Sequence, residues 1–517
     1  MNQKENSNLL ISGIRKISPQ VRAAFFGALL FGLFSQGMGL FNKFSHHDDV
    51  ASLFDMGTTV SSGRWALLLL EWLERLFYGT GNTSLPLFNG MVSILCIGAA
   101  CGLMVSLLRI RNKVYCTLLG GIMAAFPVIT ALFAYMFTSH PYMIGLLMMV
   151  FCAFLICRQT PWFVKLFAVC LGGTAVGIYQ AFLPVLLTVI LLYDLLESAE
   201  GYGLWKAFLR RVGCQILCLL GVMLVYAAGN RFFLNKYQVE LSAYQGIDQM
   251  GQMSVQMLLD RFGRAYREFF NPSQHVFADM YPGTLHLVYL LMLVANGALA
   301  LRLIILTGRK NKGQAVLLAV LFALIPLGCN LIYIMAENIH GLMVYGQVMQ
   351  VVLFVLLFDR LDFSSKKLNQ ILSFGAAMVL AVMAVMYARF DNQCYLKDAL
   401  HQQEAISYYT SLITQIKSQE GYRPEMPVYF ANTEAADDPT VPGIDELDFI
   451  RLNPYWHNSM EYLHSLTRNE FIKVWCGADF PWSWNTDLES LPQVQAMPSY
   501  PADGSIQIID ETVVVKF

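Results

Sequence analysis

Runs of about 20 apolar residues recur along this chain, from about residue 22 to about residue 388, and no other feature narrows its fold so far. Such a run crosses a bilayer as an α-helix, because only a helix satisfies the backbone N–H and C=O groups internally in a medium without water. The spacing predicts eleven spans, at about 22–41, 87–108, 115–136, 143–157, 163–178, 181–196, 213–229, 286–306, 315–335, 342–358 and 370–388. Composition agrees. Of 517 residues, 56% are hydrophobic and only 14% charged, where a soluble chain carries about a quarter charged. The net charge of −1 gives no basic footprint for nucleic acid. No cleavable signal peptide is expected, since 21–41 is too long for a signal h-region.

The basic residues set the orientation. Clusters at Lys4/Arg15/Lys16, Arg109/Arg111/Lys113, Arg158, Lys206/Arg210/Arg211, Arg309/Lys310/Lys312 and Arg360/Lys366/Lys367 fall in every second loop, and such loops stay inside. The N-terminus is then cytoplasmic. The two longest loops, 42–86 and 230–284, and the tail after the last span are outside. A miscount of one span would move the tail to the cytoplasm. The expected architecture is a polytopic α-helical membrane protein of about 11 transmembrane helices, with a membrane domain 1–389 and an extracytoplasmic mixed α/β domain 390–517. In the tail, 395–419 reads as an amphipathic helix, Met426 to Ala431 as a strand, and Glu461 to Glu470 as a helix. Residues 505–517 read as a hairpin turning at Asp510-Glu511. Nine of the eleven cysteines lie in apolar runs and read as small hydrophobes. Cys394 and Cys476 fall in the tail, either as separate thiols or as a disulfide on an oxidising face. No Cys/His pattern has zinc-ligand spacing.

Most chemistry-bearing residues lie in the outer loops. The first long loop opens with Phe44-Ser45-His46-His47-Asp48-Asp49-Val50 and continues to Gly63-Arg64-Trp65. A carboxylate at Asp48 or Asp49 can serve as general base toward a sugar hydroxyl, or ligate a divalent cation (Mg or Mn) that neutralises a phosphate. The competing reading is a helix N-cap before Val50-Ala51-Ser52. Arg64 offers a planar fork to phosphate oxygens, or snorkels as an interfacial anchor. His46 and His47 can orient the carboxylates or bind metal, or stay as surface hydrogen-bonding groups. Residues 65–77 suit a helix lying in the interface. Tyr179 and Gln180 form a polar break between the fifth and sixth spans, as a substrate contact or a plain turn. Ser139, His140 and Tyr142 mark another outer turn, read as structural. Glu337 and His340 lie at an outer helix end, and Tyr244 in a polar aromatic cluster of the second loop. Trp456, His457, Trp475, Trp482 and Trp484 crowd the tail, as core or as stacking surfaces for sugars.

A first span, an outer loop with an acidic pair, a downstream Gly63-Arg64-Trp65, the Tyr179-Gln180 turn and an outer tail resemble the bacterial glucosyltransferases of the Gtr type II kind. These are O-antigen-modifying enzymes of the GT-C architecture. The resemblance covers most of the membrane part. It implies transfer of glucose from a polyprenyl-phosphate carrier to a cell-surface glycan on the outer face, with Asp48 or Asp49 as catalytic acid/base. It further implies Arg64, with His47, at the donor phosphate. His46, Trp65, Tyr179, Gln180, Tyr244, Glu337 and His340 then complete the expected substrate site. The expected partners are the lipid-linked donor, the glycan acceptor and the bilayer. The rival class is a lipid-linked sugar transporter or flippase, which would place ionisable residues near the bilayer midplane. Here charges gather in the outer loops, which favours an enzyme at the surface. No Walker-type loop or hydrolase signature is present in the sequence.

Overall fold

The structure, a computed structural model, describes residues 17–45, 48–57, 59–201, 205–242, 254–272, 283–432 and 465–517. Contacts divide them into two compact units, with breaks after Asn42, Leu53 and Asn392. The first unit is helical. Among the described residues, nine helices are long and apolar enough to cross a membrane, and Trp162–Ile178 and Tyr345–Asp359 are shorter apolar helices. Helix Pro19–Phe41 packs against Pro86–Leu107 and Lys113–Ala125. With no hydrophobic drive between helices in lipid, close backbone approach holds such pairs. A Cβ on Gly27 would lie 1.9 Å from the Thr117 carbonyl oxygen, and one on Gly120 2.0 Å from that of Ala24.

Several helices depart from the expected bounds. Residues 138–142 form no outer turn: helix Met136–Cys157 runs through them with Pro141 inside, and Ser139, His140 and Tyr142 are buried. Pro141 signals a break in water, but neighbouring helices and polar side chains accommodate it in a membrane bundle. The eleventh span and the amphipathic tail helix are one 52-residue helix, Lys366–Lys417. Composition turns polar after the span, yet no proline interrupts the run, so the backbone continues. Helix Trp205–Tyr237 likewise takes in polar residues on both sides of the seventh span. The second long loop contains an amphipathic helix, Val255–Phe270, capped by the Ser254 side chain accepting from Met257 N at 3.2 Å.

Charges do not wholly avoid the apolar helices. Asp194 is buried in helix Leu183–Ala199, where Arg211 Nε donates to it at 2.7 Å. Asp391 is buried beside Ser35 and accepts from Gln36 Nε2 at 3.3 Å, while Thr130 Oγ1 donates to Gln36 Oε1 at 3.2 Å. This polar knot ties helix Pro19–Phe41 to helix Lys366–Lys417, and Asn392 Nδ2 adds a bond to Phe34 O at 3.1 Å.

In the second unit, strands β1 (Val428–Ala431), β2 (Ile506–Ile509) and β3 (Thr512–Lys516) form a sheet of order β1-β3-β2. β1 runs parallel to β3, with Val428 opposite Val513, and β2 antiparallel, with Ile506 opposite Val515. Asp510 and Glu511 both take positive φ, 48° and 59°, which suits a two-residue hairpin turn. Val513, Val514 and Val515 are all buried, because both sheet faces are covered. One face packs with Val50, Tyr409, Leu412 and Phe471, the other with Leu488, Val494 and Met497. Helix Ser465–Cys476 takes part of the predicted 461–470 helix, whose first residues lie outside the described set, as do Trp456 and His457. No disulfide joins Cys394 to Cys476.

Candidate active site

The first unit gathers its polar groups at two ends. Helix Leu183–Ala199 and its preceding turn at Gln180–Phe182 reach from one to the other, about 30 Å for a helix of this length. At the later end Arg109 pairs with Glu200 at 2.8 Å and with Glu197 at 2.5 Å, and Arg360 with Glu200 at 3.4 Å. The Asp359 carboxylate accepts there from Arg111 N and Asn112 N, at 3.0 and 2.8 Å. With Arg211 Nη1 3.9 Å from Glu197 Oε2, basic residues from three separate clusters thus meet at one end.

The other end holds a different set. Arg64 Nη1 donates to Tyr142 Oη at 2.9 Å, and its guanidinium carbon lies 5.8 Å from the Tyr142 ring centre and 5.6 Å from that of Tyr179. The two rings stack, centroids 4.2 Å apart and 12° from parallel. Each such contact contributes about 0.5–1.5 kcal/mol beyond area burial, so Arg64 is held rather than trailing in solvent. The Tyr179 hydroxyl donates to the Leu342 carbonyl at 3.4 Å, which links the cluster to the segment after His340. Gln180 Nε2 donates to Ser62 O at 3.1 Å and to Tyr226 Oη at 3.2 Å. The Gly63-Arg64-Trp65 turn is therefore pinned from the fifth-to-sixth span junction. Gly63 has φ of 71°, and a Cβ there would lie 2.8 Å from Gln180 Nε2. A side chain at that position would be strained and crowded.

Trp65 is buried. Its ring stacks on Phe233 at 5.4 Å and lies flush against Gly177 and Gly229, so it anchors the turn that carries Arg64. Nearby, His140 and Glu74 are paired at 2.6 Å. Glu337 is largely exposed, with Arg261 at 4.0 Å, and Arg264 Nη1 donates to its carbonyl at 2.9 Å. Beside it the carboxyl of buried Glu268 is pushed up to about 7, by burial chiefly, against the opposing pull of Arg264 and Arg267 and a hydrogen bond with Tyr333. His340 precedes the short turn Gly341–Met343.

The acidic stretch belongs to the second unit. Gln402 holds its start, accepting from Ser45 N at 3.1 Å and donating to Lys43 O at 3.2 Å. Asp48 and Asp49 open the four-residue helix Asp48–Ala51, Asp48 exposed and Asp49 buried. Asp49 is ion-paired with Lys43 and accepts from Ser45 Oγ at 3.2 Å. Burial holds the Lys43 ammonium below its ordinary range, with Asp49 pulling the other way. Among the described residues, no three His, Cys, Asp or Glu side chains converge on a metal position. His46, His47 and Tyr244 lie outside the described residues.

The structure thus brings together Arg64, Tyr179 and Gln180 from the expected set. It adds Tyr142, Tyr226 and the Glu74–His140 pair. Their signal in the sequence was a polar cluster, Thr138 to His140, inside an apolar run. A family model described as "Glucosyl transferase GtrII" matches residues 37–389. No curated protein and no solved structure matches the chain.

Proposed function

The chain belongs to the glucosyl transferase GtrII family, and from that premise we propose that it moves a glucosyl residue from a polyprenyl-phosphate carrier to a cell-surface glycan on the outer face of the membrane. The observation that carries this reading is the Arg64–Tyr142–Tyr179 cluster at the end of the apolar helices away from the basic loops. The positive-inside rule puts the basic end in the cytoplasm and the Arg64 end outside. A lipid-linked sugar phosphate needs apolar surface for its chain and a cation at the head-group level. Arg64 supplies that cation as a planar fork held against Tyr142 and Tyr179.

On this reading the membrane part is GT-C-like and residues 390–517 form an extracytoplasmic domain. Asp48, the exposed member of the acidic pair, is the general base that takes the proton of the incoming hydroxyl. Asp49 is the positioning residue, fixed by Lys43 and Ser45. The new glycosidic bond forms as the bond from the anomeric carbon to the phosphate oxygen breaks, and the polyprenyl phosphate leaves with its charge stabilised by Arg64. The activated phosphodiester supplies the driving force, and Arg64 neutralises charge on the departing phosphate.

The test is a transfer assay on the purified full chain in lipid, with radiolabelled polyprenyl-phosphate glucose and cell-envelope glycan. Label passing to glycan, and lost in Asp48→Asn, is the expected result. Lipid moving between leaflets with no transfer would replace this reading by the flippase one.

A further inference from the structure

We propose that the second unit carries a pocket for a hexopyranose ring of a glycan, with Trp484 as its stacking platform and Glu489 as an acceptor for ring hydroxyls. Its role in presenting the acceptor rests on the transferase reading, but the binding itself does not.

The pocket has a volume of about 370 Å³ and lies at the outer edge of β1, where Trp482 bridges Val428. That is the small end of the range for small-molecule sites, about 300–1,000 Å³. A pyranose ring has an apolar C–H face and a rim of hydroxyls, and needs an aromatic plane beside fixed polar groups. Trp484 supplies the plane: 61% of its surface is open to solvent, a costly exposure for so large a ring unless something covers it. Trp482 beside it is half-buried and held edge-on by Phe430 at 5.2 Å and Phe480 at 5.6 Å, so the aromatic wall is rigid.

The polar side is equally fixed. Glu489 Oε1 accepts from Tyr429 Oη at 2.9 Å and from Asn432 N at 3.1 Å. Among the described residues nothing bonds its second oxygen. Asn432 itself takes a left-handed φ of 59° and donates from Nδ2 to Phe517 O at 2.9 Å, which locks the loop carrying that amide. Burial and the neighbouring Glu489 raise Tyr429, so its phenol stays a donor. Arg468 closes the wall, 2% exposed, with Phe430 and Phe517 rings 5.7 and 5.5 Å from its guanidinium carbon. One carboxylate, Glu489, and one guanidinium, Arg468, leave the lining without net charge, and hydroxyl-rich neutral rings match an aromatic face flanked by acceptor and donor.

The probe is a panel of neutral sugars, maltotriose and the methyl glycosides of glucose, galactose, mannose and rhamnose. They are applied to the full chain in lipid nanodiscs and read by saturation-transfer NMR. At least one is expected to show transfer to its ring protons, with binding about tenfold weaker in Trp484→Ala. Glu489→Gln, which keeps the shape, is expected to weaken the same sugar severalfold. Trp484 is exposed, so its loss leaves the fold intact, and thermal unfolding checks this. No saturation transfer from any sugar, or equal transfer in both variants, overturns the pocket. The transfer assay separates the two readings. Sugar binding lost in Trp484→Ala without any glucosyl transfer by the wild type leaves the pocket standing and removes the transferase. Glucosyl transfer with an unchanged acceptor KM in Trp484→Ala, and no sugar binding, does the reverse.

Discussion

Replacing Arg64 with alanine separates a structural arginine from a phosphate ligand. In the resting protein the residue loses one charge-assisted hydrogen bond, to Tyr142 at 2.9 Å, and two ring contacts at 5.8 and 5.6 Å. The bond contributes about 1.5–3 kcal/mol, and each ring about 0.5–1 kcal/mol at a half-exposed site. The Tyr142–Tyr179 stack survives, so the loss of stability is expected near the low end, about 2.5 kcal/mol. A structural arginine would show that loss and nothing more. A phosphate ligand also loses its contact with the donor, about 1.5–3 kcal/mol, which raises donor KM about 10- to 100-fold. Initial rates against polyprenyl-phosphate glucose, with the chain in lipid, measure this directly. Arg64→Lys keeps the charge but not the fork, and is expected to fall between wild type and alanine. Tyr142→Phe removes only the resting hydrogen bond and is expected to cost about 1 kcal/mol with a smaller change in donor KM than Arg64→Ala. A donor KM unmoved in Arg64→Ala, with stability reduced, would refute the phosphate assignment.

Further outcomes follow from the same contacts. Asp48→Asn is expected to lower transfer about 10²- to 10⁴-fold with circular dichroism unchanged. Asp49→Asn instead leaves Lys43 without its counter-charge and is expected to destabilise the second unit by about 3 kcal/mol. Combining it with Lys43→Met should recover most of that loss, in thermal unfolding. Glu268, held near 7 in the fold against an ordinary 4.5, binds a proton in the folded state that the unfolded chain has released. Its contribution to stability is therefore fully present below about pH 4.5 and lost as pH rises through about 7; Glu268→Gln should flatten that part of the stability profile. A Cβ added at Gly229 would lie 2.4 Å from the Trp65 ring, so Gly229→Ala is expected to cost about 1–3 kcal/mol. An equal cost in a Trp65→Leu background would show that the clash is not the cause.

Pairs of residues distant in sequence explain what was hidden. Asp49 and Lys43 are six positions apart, yet the burial that distinguishes Asp49 from Asp48 comes from the Ser465–Cys476 helix and the sheet beneath Val50. Ser139, His140 and Tyr142 read as an outer turn, yet helix Met136–Cys157 runs through them with Pro141 inside. Trp65 carried the expected motif but serves as its anchor, a fact set by glycines at 177 and 229 on two other helices. The Asp510-Glu511 turn, by contrast, is local chemistry and lies where the alternation placed it.

Hydropathy is a property of single residues summed over a short window, and bilayer thickness converts it directly into helices. The sequence alone therefore determined that the chain folds mostly into helices apolar and long enough to cross a membrane, about where they lie and which family its loop motifs resemble. Which polar groups meet depends on side chains brought together from separate helices, and no window in the sequence contains those distances. Tertiary structure decided that Arg64 rests on Tyr142 and Tyr179. It also decided that Asp49 is spent on Lys43, and that Trp484 stays exposed beside a pinned carboxylate.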